Sequence, residues 1–276
     1  MKTIVLDFPF KKGNITPSVI ALGCFDGIHL AHEKLINTTI RLANEKGINS
    51  AVMTFDPHPK EIIFDRKIDQ LMPFKEKQKK LDQLGIDTLY VIRFNKAVSK
   101  LPPKLFVQEF LVQLKARHIV VGYDFNYGFK AEGNVNTLLL HGNFTFNLTV
   151  ISELKKEGEK IGSTQIRKLV KDGLVDQIPS FLGNYYETRV FIRRHKVNSA
   201  LFEVVPFNDY QVPLQGDYLV KVNIEETNYR GIVSRTSNLN TLILKMDGFI
   251  GELPKDLTIS WLQQIENEET PSLVVN

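Results

Sequence analysis

The sequence of residues 19–32 is VIALGCFDGIHLAH, in which an apolar run, a turn and the start of a helix follow one another. The apolar run at residues 19–22 is typical of a buried strand. Beyond the turn, apolar residues recur at helical spacing until Gly47, a common residue at helix ends. Gly23 and Gly27 allow the backbone to turn sharply and to approach a ligand closely. The stretch therefore predicts a strand, a glycine-bounded loop and a helix whose N-terminus faces the loop.

The same alternation of apolar runs and helical patterns continues through the first two-thirds of the chain. Further strands are predicted at residues 51–55, 89–92, 118–121 and 147–150, and helices at 74–84 and from about 102 to 114. Strands that alternate with helices favour a parallel sheet covered on both faces, which is a Rossmann-like α/β domain. In such a sheet the ligand site lies at the carboxyl ends of the strands.

The pattern changes after about Gly183. Short alternating segments, separated by turn residues, lie at 188–192, 201–205, 218–222, 229–233 and 242–245. They predict a small β-barrel-like domain, and we expect a helix at residues 259–266. The predicted domains are therefore residues 1–183 and 184–276.

Composition narrows the class of protein. The 276 residues are 43% hydrophobic and 24% charged, which suits one large or two ordinary globular domains. The net charge of +4 fits a phosphate-bearing ligand but is too small to indicate nucleic acid. The single cysteine, Cys24, excludes an intramolecular disulfide and favours a reducing, cytoplasmic compartment. No apolar stretch approaches the roughly 18 residues of a membrane-spanning helix, and nothing in the sequence indicates an oligomeric state.

The first loop carries two histidines, His29 and His32, at the start of the predicted helix. Residues three apart on a helix can point the same way. Imidazole donors there could stabilise charge that builds on phosphate oxygens, next to the N–H groups of the helix N-terminus. The alternative interpretation is a turn with two surface histidines.

Two further loops follow strands at the same predicted edge of the sheet. The segment TFDPHP at residues 54–59 offers the aromatic face of Phe55 and fixes His58 between two prolines. The segment GYDFNYGFK at residues 122–130 combines aromatic rings, an acid and two glycines, which suits a loop that holds an aromatic ring. The alternatives are a rigid proline-rich loop and a hydrophobic cluster beneath a loop.

A fourth cluster, GSTQIR at residues 162–167, opens a predicted helix that ends near Gly173. Ser163 or Thr164 can cap this helix, and the same hydroxyl groups can bind phosphate. Arg167 adds a planar set of donors that suits phosphate oxygens. A capped helix with a solvated arginine is the alternative.

Together these clusters resemble the bacterial bifunctional riboflavin kinase/FMN adenylyltransferase family, also called FAD synthetases, over residues 15–185. The matched family elements are Gly-x-Phe-Asp-Gly-x-His-x-Gly-His, Phe-x-Pro-His-Pro, Val-Gly-x-Asp-Phe-x-aromatic-Gly and Ser-Ser-Thr-x-Ile-Arg. Three positions depart from the family: Ala31 and Gly162 replace a glycine and a serine, and Lys130 stands where arginine is usual.

The resemblance implies an FMN adenylyltransferase, which joins the AMP part of ATP to FMN and releases FAD and pyrophosphate. It implies Mg²⁺ carried with ATP and no metal ligand from the protein. The small net charge and the lack of a long apolar stretch predict no nucleic-acid or membrane partner. The implied catalytic residues are His29, His32 and Arg167. The implied ATP-binding residues are Gly23, Phe25, Asp26, Gly27, His29, His32, Ser163, Thr164 and Arg167, and the implied FMN-binding residues are Phe55, His58, Asp124 and Tyr127.

The resemblance to the family is weak in the second predicted domain. The family's kinase motif Gly-Phe-Pro-Thr-Ala-Asn is expected near residues 193–207, where this chain has RRHKVNSAL at 193–201. Residues 231–246 also contain no Asp or Glu that could serve as the family's catalytic base. We therefore expect a degenerate riboflavin kinase-like domain and a monofunctional enzyme.

Three alternatives remain open. The chain could be a flavin- or nucleotide-binding regulator with weak catalysis or none. It could transfer AMP or CMP to another phosphate-bearing acceptor. Its second domain could also phosphorylate riboflavin through unfamiliar residues.

Overall fold

The computed structural model describes residues 1–10, 15–198, 200–207, 210–224, 227–235, 242–249, 251 and 254–265. The chain divides into two compact units. The first unit comprises Met1–Ile68 and Met72–Ile161, and the second comprises Asp69–Leu71 and the described residues from Gly162 onward. The predicted boundary between the two domains, near Gly183, stays a prediction.

The first unit is an α/β structure. Its strands are β1 (Lys2–Leu6), β2 (Ser18–Leu22), β3 (Asn49–Asp56), β4 (Thr88–Arg93), β5 (Ala116–Gly122), β6 (Asn126–Tyr127), β7 (Gly133–Asn134), β8 (Asn147–Ile151), β9 (Lys155–Lys156) and β10 (Glu159–Lys160). Its helices are α1 (Leu30–Lys46), α2 (Pro59–Phe64), α3 (Phe74–Gln83), α4 (Lys96–Ser99), α5 (Pro103–Val107, continued by a π-helical turn at Gln108–Val112) and α6 (Val135–His141), with a 3₁₀ turn at Phe129–Ala131.

Six of these strands form a parallel sheet in the order β1-β4-β3-β2-β5-β8. This confirms the predicted Rossmann-like class and its five predicted strands. The sequence does not predict β1, whose short apolar run gains a partner only by pairing with β4. From β2 the chain runs to β3 on one side and later returns to β5 on the other. The strand order therefore reverses beside β2, and this switch point is where such sheets bind ligands.

Period-two alternation in the buried strands supplies both cores of the first unit. Ile20 and Leu22 of β2 face one cluster, which includes Phe106 and Phe110 of the segment that begins with α5. Val19 and Ala21 face the other cluster, which includes side chains of α1 and α3. The sheet thus carries apolar side chains on both faces. The residues of a ligand site must therefore come from the loops that follow its strands.

The second unit combines short helices with a closed antiparallel barrel. Its helices are α7 (Ser163–Lys171), a 3₁₀ turn (Val175–Gln177) and α8 (Pro179–Leu182). Its strands are β11 (Tyr186–Arg194), β12 (Leu201–Pro206), β13 (Gly216–Ile224), β14 (Thr227–Arg235), β15 (Leu242–Met246) and β16 (Asp256–Ile265). They close in the order β11-β12-β15-β14-β13-β16, which confirms the predicted barrel-like class.

The helix expected at residues 259–266 is wrong. Residues up to Ile265 belong to strand β16, and Glu266 lies outside the described residues. Leu257, Ile259 and Trp261 alternate into the barrel interior. Because β16 pairs with β11 on one side and β13 on the other, it closes the barrel. The pairing of β16 with distant strands outweighs local propensity. A sequence pattern does not record such long-range pairing.

Candidate active site

The loop between β2 and α1 adopts a backbone that most side chains avoid. The φ angles of Phe25, Gly27 and Ile28 are 49°, 87° and 41°, all in the left-handed region. Phe25 and Ile28 are nonetheless buried in the core. Non-glycine residues in this region cost about 1–3 kcal/mol each and persist only where the surroundings enforce them. A side chain at Gly23 would crowd the loop, since a Cβ there would lie 3.2 Å from the Phe25 ring.

The loop leads directly into a stacked pair of imidazoles. His29 caps α1, because its Nδ1 accepts the backbone N–H of His32 at 3.3 Å. The two rings lie 3.7 Å apart between centroids and only 14° from parallel, and the ring of Phe25 lies 5.1 Å from that of His32. Since Nδ1 of His29 accepts, a neutral ring carries its proton on Nε2 and can donate from there. The structure thus brings both predicted histidines together.

Burial keeps this pair neutral. Desolvation lowers the pKa of His29 to about 4, although the carboxylates of Asp26 and Asp124 oppose the shift. The pKa of His32 also lies well below its ordinary value, because of burial first and then its electrostatic interactions with His29 and Lys77. Nδ1 of His32 is buried without a hydrogen-bond partner among the described residues. The site therefore holds two neutral imidazoles, and one of them has a buried nitrogen without a partner among the described residues.

A buried lysine, which the sequence analysis missed, contacts the same loop. Lys77 of α3 is only 3% exposed, and its Nζ donates to the carbonyl oxygen of Cys24 at 2.7 Å. Oγ1 of Thr54 donates to that oxygen as well, at 3.1 Å. Phe74, Lys77 and Leu81 recur at spacings of three and four along α3, so a lysine within an apolar helical stripe was the available signal.

Asp26 is also buried in this loop. It is 3% exposed, and its carboxylate accepts the backbone N–H of Met72 at 3.1 Å. A buried carboxylate needs such partners, since an unpaired one is expensive to desolvate. Asp26 therefore lies inside the loop structure and adds a negative charge close to His29 and Lys77.

The second predicted loop follows β3. Nδ1 of His58 accepts the backbone N–H of Lys60 at 3.2 Å and caps the short helix α2. The half-buried ring of Phe55 packs edge-on against Phe94, with centroids 5.6 Å apart. Part of the aromatic surface predicted for a ligand is thus used in the core.

The third predicted loop follows β5, across the switch point from the first. Asp124 forms an ion pair with Lys160 of β10 at 2.6 Å, and Lys160 also lies over the ring of Tyr123. The effect of Asp124 on the pKa of His29 puts this carboxylate within electrostatic range of the imidazole pair.

Tyr127 differs from the other residues of the third loop. Its side chain lies in the core cluster, 5% exposed, with its hydroxyl bonded to Thr137 and His141 at 3.0 and 2.8 Å. Its assignment to flavin binding stays a prediction.

The fourth predicted cluster belongs to the second unit. Gly162 is the N-cap residue of α7 and no side chain caps the helix, so the expected capping by Ser163 or Thr164 is wrong. Helix α7 begins at Ser163, one residue earlier than a Ser163 cap and two residues earlier than a Thr164 cap would require. The guanidinium of Arg167 donates to the carbonyl oxygen of Asp69 and to Gln211, and Gln211 donates back to the Arg167 carbonyl oxygen at 2.7 Å.

Comparison with known proteins decides the family. Residues 11–165 match the family described as FAD synthetase. The chain belongs to the FAD synthetase family. A bifunctional riboflavin kinase/FMN adenylyltransferase from Listeria monocytogenes is 33% identical over 248 residues, covering 87% of this chain and 79% of that protein. A second protein of the same organism, named FAD synthetase, is 30% identical over 237 residues, covering 84% and 89%.

Membership of the FAD synthetase family confirms the enzyme class predicted from the four clusters, that of a nucleotidyltransferase. A crystal structure of a protein named macrolide-efflux protein, from Streptococcus pneumoniae, superposes with a TM-score of 0.84 over 96% of this chain and 91% of that one. At 24% identity, this likeness supports the fold alone. No helix within the described ranges is long and apolar enough to cross a membrane.

Proposed function

We propose that this chain catalyses the reaction of ATP with FMN to give FAD and pyrophosphate. The observation that carries the proposal is the stacked, neutral His29–His32 pair at the start of α1, beside the switch point of a FAD synthetase domain. An oxygen of the FMN phosphate attacks the α-phosphorus of ATP. The bond from that phosphorus to the oxygen bridging to the β-phosphorus breaks, and pyrophosphate leaves with the electron pair.

The imidazole pair would stabilise the charge that develops in this step. His29 would donate from Nε2, since its Nδ1 is occupied by the His32 N–H. His32 would donate from the buried Nδ1 that has no partner among the described residues. Neutral donors that are fixed before the reaction need no reorganisation as charge develops, which is the largest catalytic term in many enzymes. No covalent intermediate with the protein is required, so catalysis is positioning and charge stabilisation.

The remaining predicted residues would hold the substrates. Phe55, His58 and Asp124, with Tyr127 behind them, would line the flavin side. Ser163, Thr164 and Arg167 would bind the β- and γ-phosphates of ATP, Arg167 by exchanging its present protein acceptors for phosphate oxygens. We propose that Mg²⁺ enters as part of the ATP substrate, whose phosphate oxygens are the hard ligands that it prefers. We also propose a cytoplasmic protein, consistent with its single cysteine.

We further propose that the enzyme is monofunctional. The family's kinase motif is missing at residues 193–201. Side chains of the turn at residues 195–198 accept its backbone hydrogen bonds. Nδ1 of His195 accepts the N–H groups of Val197 and Asn198, and Oδ1 of Asn198 accepts that of Ala200. The carboxylate of Glu203 on β12 is occupied by Arg193.

One paired assay tests the proposal. Purified protein and Mg-ATP are incubated with FMN in one reaction and with riboflavin in another, and the products are separated by chromatography. We expect FAD from FMN and no product from riboflavin. FMN or FAD formed from riboflavin would contradict the monofunctional assignment. Tight FMN binding without release of pyrophosphate would instead indicate a regulator.

The acceptor requires its own comparison. The same enzyme preparation is given FMN, phosphopantetheine or nicotinamide mononucleotide with equal ATP, and pyrophosphate release is measured. We expect FMN to be preferred, because the several aromatic residues of the loops after β3 and β5 suit a flat ring system as wide as the three fused rings of a flavin. Faster release with either other acceptor would reassign the substrate within the same reaction class.

A further inference from the structure

Lys77 is a charged side chain in a place where charges are costly. It is 3% exposed and lies on α3 among residues that pack on the core. Removing an ammonium group from water costs several kcal/mol unless good partners replace the water. Burial lowers the pKa of Lys77, and the nearby carboxylate of Asp26 opposes that shift. A cation kept at such a cost is expected to do something that an apolar side chain cannot.

The contacts of Lys77 indicate what that is. Its Nζ donates to the carbonyl oxygen of Cys24 at 2.7 Å, from a helix that lies some fifty residues further along the chain. Oγ1 of Thr54, at the end of β3, donates to the same oxygen at 3.1 Å. Two separate elements thus hold one peptide group of the loop from outside it.

The loop that they hold is the strained one. Phe25, directly after this peptide group, and Ile28, three residues further on, have positive φ angles of 49° and 41°. Strained residues return to ordinary backbone geometry when their surroundings no longer enforce them. His29 follows Ile28 and supplies both the cap of α1 and one ring of the imidazole pair. A shift of the loop would therefore be passed to the catalytic pair.

We propose that Lys77 is a positioning residue for AMP transfer, which fixes the Cys24 carbonyl and thereby holds the strained loop that presents His29 and His32. The inference rests on the proposed function for its consequence, and on the contacts of Lys77 for its geometry. Lys77 acts through the loop backbone. The proposal is therefore wrong if the loop keeps its structure when Lys77 is replaced.

The test compares two lysines of α3. Lys77→Met keeps the length of the apolar stem and removes the donor, whereas Lys79→Met alters an exposed lysine two residues away. For Lys77→Met we expect kcat for FAD formation to fall about 10²-fold, the effect of displacing catalytic groups by roughly 1 Å. We expect the KM for FMN to change by less than about threefold, since the flavin side is not touched. Lys79→Met should match the unsubstituted protein, and Lys77→Arg should recover part of kcat.

Amide hydrogen exchange supplies a readout that does not depend on activity. We expect faster exchange at residues 23–32 in Lys77→Met, including the His32 N–H, and no change there in Lys79→Met. A fall in kcat with unchanged exchange would overturn the proposal, because Lys77 would then act on the substrate. Unchanged kcat with unchanged exchange would overturn it as well. If the unsubstituted protein formed no FAD, the exchange comparison would still decide whether Lys77 anchors the loop.

Thr54→Val covers the case in which Lys77→Met does not fold. This variant conserves shape and removes the other donor to the Cys24 carbonyl oxygen. We expect a severalfold fall in kcat together with faster exchange at residues 23–32. Unchanged kcat and unchanged exchange in Thr54→Val would then overturn the proposal.

Discussion

Two turns of the molecule, one in each unit, differ in how much strain and buried charge they contain. The loop at residues 23–29 holds two non-glycine residues at positive φ, and a buried lysine and a buried aspartate lie against it or within it. The turn at residues 195–198 is largely exposed, with Val197 90% exposed, and its hydrogen bonds come from its own His195 and Asn198. Strain and buried charge are costly and persist at sites with a function. A turn that satisfies itself locally carries no such cost.

The difference teaches where to look for activity in a two-domain member of this family. The first loop keeps the family motif, together with the packing that enforces its geometry. The second turn lacks the kinase motif that the resemblance leads us to expect there, and it connects β11 and β12. The variants below test this difference.

The largest expected effect comes from exchanging one histidine in each region. His29→Asn keeps a side chain that can cap α1 but removes the Nε2–H donor. We expect FAD formation to fall by about 10²–10³-fold, the cost of losing one fixed donor to a transition state. His195→Asn should leave FAD formation within twofold. Initial rates with saturating FMN and ATP measure both variants, and equal rates for the two would remove the distinction between the regions.

The next prediction concerns pH. The folded-state pKa of His29 is about 4, below its ordinary value of 6.5, so the unfolded state binds more protons between these values. The contribution of His29 is therefore fully present above pH 6.5 and is lost as pH falls towards 4. Its size is on the order of 3 kcal/mol. The lowered pKa values of His32 and His118 act in the same direction.

Urea unfolding between pH 7 and pH 4 measures this loss. We expect His29→Asn to reduce the slope of stability against pH. A slope that His29→Asn left unchanged would contradict the assignment of this pH dependence to His29.

The sequence predicts the parallel sheet well because each buried strand records its own environment as a short apolar run. The sequence pattern wrongly predicts a helix at residues 259–266, because the stability of strand β16 comes from pairing with two distant strands. The histidines were identifiable from their motif, but their stacking and neutrality depend on burial by the folded chain. Lys77 was missed because its importance lies in a contact with Cys24, which no local pattern contains.

A medium effect is expected from a buried hydrogen bond of the barrel. Nε1–H of Trp261 donates to Oγ1 of Thr188 at 3.0 Å, and both side chains are fully buried. Thr188→Val leaves this donor unsatisfied, which costs about 1–3 kcal/mol of unfolding free energy. If the barrel serves as a scaffold, kcat for FAD formation by the folded fraction should not change. Chemical unfolding and the rate per active molecule separate the two effects, and a fall in kcat larger than tenfold would give the barrel a part in catalysis.

The smallest effect is expected in the second turn itself. Asn198→Ala removes the bond from the Ala200 N–H to the asparagine side chain. Because this turn is exposed, water can replace the lost acceptor, and the cost should be no more than about 0.5–1 kcal/mol. FAD formation should be unchanged, since the turn carries neither strain nor a buried charge. If Asn198→Ala instead lowered FAD formation by more than tenfold, local hydrogen bonding would not distinguish an idle turn from a working one. The contrast with the loop at residues 23–29 would then rest on the histidine pair alone.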